Sequence, residues 1–278
     1  MKRTIAVIFA SFILCTVASA QLRPRVFGIA KMTFLVSDES VAKEYYGDFL
    51  GFRKAFSYPG PLGTIHSYKV NDHQFLEFIV DPAAREKDRF VSLSIETESV
   101  SGMVDFLRSK GVQVSSPSVD GAGNIVALTH DSYGNAVEFL EYATSGLHSR
   151  DAGRHLGKKR ISTRIHHAGL PSKGIDLEDS FWVKAFGGKV LFTVPDKIIY
   201  FGFVNSTESI ENYYPSSPSF AHPCFLTEDM EETIRTLRSR GGADSVADPS
   251  IGVTGRWILN ILNPDSTKVE FTEAHQNR

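Results

Sequence analysis

Cysteine is almost missing: the chain has two in 278 residues, Cys15 and Cys224. That excludes a disulfide-stapled scaffold. Neither sign of charge dominates, with 30 Lys and Arg against 32 Asp and Glu and a net charge of -2. No basic field points to nucleic acid or to an anionic membrane surface. Gly-x-Ser-x-Gly, a Walker phosphate loop and His-Glu-x-x-His are all absent, which removes the chemistries those motifs carry. Gly60 to Gly63, with its prolines, reads as a turn and not as a phosphate cradle. No apolar run reaches the roughly 20 residues of a membrane span. What is present is ordinary: 42% hydrophobic and 22% charged residues, a globular composition with a real core. The length suits one large domain or two medium ones.

The N-terminus stands apart. Met1-Lys2-Arg3 supplies positive charge, Ile5 to Val17 is almost wholly apolar, and Ala18-Ser19-Ala20 fits the small-x-small rule before Gln21. This pattern predicts a secretory signal over residues 1–20 and an exported mature chain, periplasmic or extracellular. Leu14 stands where a lipoprotein signal has a small residue before its cysteine, so Cys15 is not expected to be lipidated. Cleavage leaves Cys224 alone, with no intrachain disulfide to form.

The remainder reads as two similar halves, residues 25–142 and 162–273. They are joined by residues 143–161, rich in Gly, Ser and charge, which reads as an exposed linker. Each half divides into two units of strand, helix and further strands. In the first unit a strand over Ile29 to Phe34 precedes the helix start Ser37-Asp38-Glu39, helical spacing over Val41 to Leu50, and Gly51. Strands are expected near residues 53–58, 64–70 and 75–80. The second unit repeats the order with a strand at 90–96, a helix at 99–110 and strands at 112–115, 125–129 and 136–142. The third has strands at 165–170, 189–194 and 198–204 around a helix at 177–186. The fourth has strands at 221–226, 257–262 and 268–272 around a helix at 230–240. Four successive β-α-β-β-β units make an α+β repeat architecture.

Ile29 to Phe52, with Lys-Met-Thr-Phe-Leu-Val-Ser-Asp and Tyr-Tyr-Gly-Asp-Phe-Leu-Gly-Phe, and the closing Asp131 to Phe139 stretch resemble the vicinal oxygen chelate superfamily. That superfamily includes glyoxalases, bleomycin-resistance proteins and type I extradiol dioxygenases. The resemblance covers essentially all of the mature chain and implies two paired domains of two βαβββ units each. It also implies one divalent metal ion, Fe, Mn or Zn, held by the first strand of a half, the first strand of its second unit and its last strand. In half two those places hold His167, His222 and Glu270, separated by 55 and 48 residues. In half one they align with Lys31, Phe90 and Glu138, separated by 59 and 48. Half one has lost both imidazoles, so the metal is assigned to half two. Two imidazoles and a carboxylate on one face leave coordination positions open for substrate.

His166 competes with His167, but the two alternate across a strand, and Ile-x-His-x-Gly-Leu fits with His167 as the ligand. His66, His73 and His130 do not fall on ligand positions. Tyr214, Trp257 and Asn260 are candidate pocket residues, although aromatics more often simply pack. A metal-bearing half behind a metal-free one resembles the two-domain extradiol dioxygenases. Their signature places a Tyr four residues before the Pro of the last turn, with a His shortly upstream. Here Asn260 takes the Tyr place before Asn263-Pro264, and no His lies between Ile251 and Trp257. The implied function is a metal-dependent enzyme of glyoxalase or dioxygenase type acting on a small oxygenated substrate. The alternative is a non-catalytic binding protein of the bleomycin-resistance kind. Neither nucleic acid nor, after cleavage, membrane is an expected partner, and a homodimer stays open. In half one, Lys31 standing where an imidazole would be is expected to pair with Glu138, with Glu77 as a third member, since an unpaired buried carboxylate is costly.

Overall fold

A computed structural model describes residues 22–86, 88–203, 206–214, 221–242 and 245–275. The secretory signal expected over residues 1–20 lies outside them. Two eight-stranded sheets account for the two halves. The first contains β1 (Val26–Val36), β2 (Arg53–Gly60), β3 (Gly63–Lys69), β4 (Phe75–Val80), β5 (Phe90–Thr97), β6 (Ser118–Val119), β7 (Ile125–His130) and β8 (Ala136–Glu141). The second contains β9 (Ile165–Pro171), β10 (Lys189–Val194), β11 (Ile198–Gly202), β12 (Ser209–Tyr213), β13 (His222–Thr227), β14 (Ser250–Ile251), β15 (Trp257–Leu262) and β16 (Lys268–Glu273). Strand order is β2-β3-β4-β1-β5-β8-β7-β6 in the first sheet and β10-β11-β12-β9-β13-β16-β15-β14 in the second. The repeat is therefore identical in topology. In each sheet two βαβββ units meet at an antiparallel central pair, β1 with β5 and β9 with β13.

The helices begin where their caps lie. Asp38, Ser99, Asp179 and Asp229 each accept a hydrogen bond from a main-chain N–H of the turn that follows. Their apolar faces cover one side of each sheet, which frees the other side to line a groove. One hydrophobic core runs through both halves. Phe52 packs on Phe225 at 5.0 Å between ring centroids, and Phe139 on Phe186 at 5.7 Å. The Gln74 amide bonds the main chain of Ile165 in both directions, at 2.8 and 3.1 Å. Asp265 of half two accepts hydrogen bonds from Ser37 and Arg85 of half one at 2.6–2.7 Å. Among the described residues no helix is long and apolar enough to cross a membrane.

Several elements differ from the sequence expectation, among them the short β14, which was not assigned. Residues 112–115 are not a strand; their main chain runs irregularly to the short β6. Ser209–Tyr213, unassigned in the sequence reading, is β12 and completes the third unit. The stretch 143–161 is not simply exposed. It carries a short helix, Leu147–Arg150, and buries His148 and Asp151 in half one. The buried Lys69 ammonium holds it there, 2.9 Å from the Asp151 carboxylate.

Candidate metal centre

Strand alternation directs one side chain in two into the groove of half two. On β9 this places His167 inward, on β12 Glu211, on β13 His222 and on β16 Glu270. The register brings them level: Glu211 and His222 both pair with Gly169, and Cys224 pairs with both His167 and Glu270. All four side chains are buried, and one ligand atom from each lies within 4.8 Å of all the others. His167 Nε2 is 3.1 Å from Glu211 Oε2 and 3.5 Å from Glu270 Oε1. His222 Nε2 is 3.5 Å from Glu211 Oε2 and 3.8 Å from Glu270 Oε2.

These spacings fit one ion. Ligands at about 2.1 Å from a common centre stand roughly 3.0–3.4 Å apart at right-angled or tetrahedral positions. The geometry also depends on a glycine. A Cβ at position 169 would overlap the His222 ring, so Gly169 is what lets that imidazole lie flat against β9.

The electrostatics point the same way. Burial works against the charged form of His167. The adjoining Cys224 sulfur and the Glu211 and Glu270 carboxylates outweigh it and hold the pKa well above the usual imidazole value. We take the carboxylates as the effective cause, because burial pushes the Cys224 thiol up to about 12 and leaves it neutral. Burial opposes ionisation of Glu211 and Glu270 too. Hydrogen bonds from the imidazoles overcome it, helped at Glu270 by the Lys268 ammonium, and Glu270 falls to about 2. His222 and His166 are pushed down, chiefly by burial, His166 to about 3. Without metal, then, the His167 imidazolium and the Lys268 ammonium, 3.0 Å from Glu270, face the two buried carboxylates. A divalent cation held by His167 would displace the imidazolium proton, since a ligating imidazole is neutral.

The three residues named from sequence are thus brought together. Glu211 was missed, because its strand was missed. His166 lies outside the four-ligand set, although its Nδ1 approaches that of His167 to 3.0 Å and its ring borders the groove. Above the four ligands the groove opens into a cavity of about 1030 Å³. Tyr214 and Asn260 line it, with Asn260 directly opposite Glu270 in the sheet. Trp257 does not. On β15 and the residue before it the groove-facing set is Arg256, Ile258 and Asn260, and alternation turns Trp257 back against the core.

Half one carries the corresponding groove in altered form. Register equates His167 with Lys31, Glu211 with Glu77 and Glu270 with Glu138. The counterpart of His222 is Ser92, paired with Thr33, and not Phe90. The separations are therefore 61 and 46, because the segments connecting these strands differ in length from those of half two. Both carboxylates persist, and Lys31 Nζ lies 3.2 Å from Glu138 and 3.3 Å from Glu77. Burial opposes its charge, but Glu138 and then Glu77 hold its pKa well above normal. Tyr58 donates to Glu77 at 2.7 Å, and His148 reaches the same carboxylate through Nε2 at 3.2 Å. An ammonium thus stands in place of the metal, and a side chain from the linker fills the groove above it.

No protein-family model matches the chain, and no curated protein matches it. Solved structures do. A variant of homoprotocatechuate 2,3-dioxygenase from Brevibacterium fuscum superposes with a TM-score of 0.69 at 16% identity, over 94% of this chain and 74% of that one. The Mn(II)-bound glyoxalase from Novosphingobium aromaticivorans gives 0.70 at 19%, over 90% and 83%. A 2,3-dioxygenase from Pseudomonas sp. KL28 gives 0.71 at 11%, over 92% and 94%. The chain has the two-domain vicinal-oxygen-chelate fold. At these identities the likeness establishes architecture, and chemistry has to come from the site.

Proposed function

We propose that this vicinal-oxygen-chelate protein is a metal-dependent enzyme whose reaction is non-oxidative, of the glyoxalase or lyase type. The observation that carries the reading is Glu211. A six-coordinate ion with four protein ligands keeps two positions, enough for two adjacent oxygens of a substrate. Three ligands would keep three, which is what a chelated catechol and O₂ together require. The ligand set of two imidazoles and two carboxylates suits Mn, Fe or Zn. When bound, the ion would act as a Lewis acid on the chelated oxygens.

The chain's own groups supply the rest. Glu211 and Glu270 are carboxylates that line the cavity, and a carboxylate oxygen of either would accept a proton from a carbon next to those oxygens. Burial, followed by the charges of Glu211 and Glu270, pushes the Tyr200 phenol far up. It therefore stays a neutral donor bonded to Glu211. His166, neutral throughout the physiological range, adds no competing charge. Leu191, Phe192, Ile251 and Val253 form an apolar rim around the cavity and exclude water once a ligand is seated.

A second reading is a protein that binds without catalysis. Asn260, an amide where dioxygenases of this fold carry a phenol, favours it. Purified protein should hold about one metal ion per chain. His222→Ala should lose it, His166→Ala should keep it, and catechols should draw no oxygen uptake from the Fe(II)-loaded protein. Rapid oxygen uptake would overturn the non-oxidative reading, and equal metal loss in both variants would overturn the ligand assignment. Export is part of the same proposal. It is supported by the pattern over residues 1–20 and tested by a mature N-terminus at Gln21.

A further inference from the structure

The strands around the two grooves correspond in order and register, and one groove is already filled. In half one the His148 ring sits over the carboxylate pair. Its Nε2 lies 3.2 Å from Glu77, and its Nδ1 lies 2.9 Å from the Asn124 amide. Phe56 meets the ring edge-to-face at 4.8 Å. The turn that presents Asn124 is closed by Asp120 N–H to Asn124 O at 2.9 Å. The turn of half two is closed in the same way, by Gly252 N–H to Arg256 O at 2.8 Å. Strand pairing supports the equivalence: Val126 faces Leu140 as Ile258 faces Thr272, and Leu128 faces Glu138 as Asn260 faces Glu270. Asn124 therefore corresponds to Arg256, Asp120 to Gly252 and, through β2 and β10, Phe56 to Phe192.

Two of these exchanges bear on ligand chemistry. The amide that bonds the His148 ring becomes a guanidinium. The carboxylate that accepts from that amide in half one, Asp120, becomes a glycine. Arg256 is left with the Glu273 main-chain oxygen at 3.5 Å and no carboxylate among the described residues. A guanidinium lining a cavity without an anion is a site for one, and its planar fork favours a carboxylate. The groove is also wider, since Ser209 takes the place of Phe75. Phe192 keeps the aromatic wall.

We propose that half two takes a planar molecule in the place His148 occupies in half one. It presents vicinal oxygens to the metal ligands and a carboxylate to Arg256, the specificity-determining residue. The first clause rests on the chelate reading above; the role of Arg256 can be read apart from it. The test is equilibrium dialysis of Mn-loaded full-length protein against 3,4-dihydroxybenzoate and its uncharged isostere 3,4-dihydroxybenzamide. The acid should bind about tenfold tighter or more, the usual advantage of a charge-assisted pair. Arg256→Gln should bring the two ligands level while keeping its metal, and Arg256→Lys should retain part of the preference. Equal binding of acid and amide, no binding of the acid, or an unchanged preference in Arg256→Gln overturns the proposal. If instead both ligands bind undiminished to metal-free His222→Ala protein and the acid is still preferred, the chelate reading fails and the assignment of Arg256 stands.

Discussion

A single methyl group at position 169 should dismantle the metal centre without unfolding the chain. Gly169 has an ordinary strand φ, so alanine brings no backbone strain. Half one shows that the fold accepts a larger residue there, because Thr33 occupies the equivalent place opposite Ser92. In half two the added Cβ would lie 2.6 Å from His222 Nδ1 and nearer still to other ring atoms. Ordinary contact begins at 3.4 Å, so the ring must retreat by roughly 1 Å. A metal–nitrogen bond tolerates about 0.2 Å. The displacement is several times that, and His222 ceases to be a ligand. Disturbing a group that merely supports a ligand costs 10–100-fold in affinity, so losing the ligand itself should cost roughly 100-fold or more, about 2.7 kcal/mol. Competitive titration of Mn or Zn against a chelator reads the affinity, and far-UV circular dichroism reads the fold. Gly169→Ala protein that binds metal like the parent would show that the imidazole is not held against β9 as described.

Other outcomes follow from the same geometry. Glu211→Gln should weaken metal binding by a factor comparable to Glu270→Gln; if it leaves affinity unchanged, the fourth ligand is not one. Lys31→Met leaves Glu77 and Glu138 buried without their cation and should destabilise the chain by about 3–5 kcal/mol in urea denaturation; a change below about 1 kcal/mol would show that the ion pair is dispensable. Glu77 is opposed by burial, yet Lys31 and His148 hold it at about 2, below its usual 4.5. Its contribution is therefore complete above pH 4.5 and lost as pH falls through about 2. The stability of Glu77→Gln protein should depend less steeply on pH across that window, and parallel profiles would refute the assignment.

Much of the fold was legible because the halves repeat. Gly-terminated helices and matched strands place His167, His222 and Glu270 at corresponding points, and structure brings them together. Glu211 was hidden for a physical reason. Ser-Ile-Glu-Asn-Tyr has little apolar alternation, since the strand spends its inward position on a ligand and buries Asn212 on its other face. Its counterpart, Phe-Leu-Glu-Phe-Ile-Val, is unmistakably a strand and carries Glu77 in the same place. Aligning the two halves at that glutamate was the signal available. Phe90 was matched to His222 because an equal residue count was carried over, whereas 46 residues separate Ser92 from Glu138 and 48 separate His222 from Glu270. The linker looked exposed because its composition is polar. Its few buried groups, His148 and Asp151, owe their burial to Glu77 and Lys69, partners about 70–80 positions away that no local pattern reveals.

The shared core has a further consequence. Apolar packing passes from half one to half two and is joined by hydrogen bonds such as those of Gln74 and Asp265, so the two halves are expected to unfold together. Whatever free energy an ion contributes at His167, Glu211, His222 and Glu270 is then felt by residues that never approach it, including the Lys31 cluster. The duplicated chain divides its labour. One half carries the candidate cation site and the open groove, and the other carries in Lys31 a cation that is part of the polypeptide.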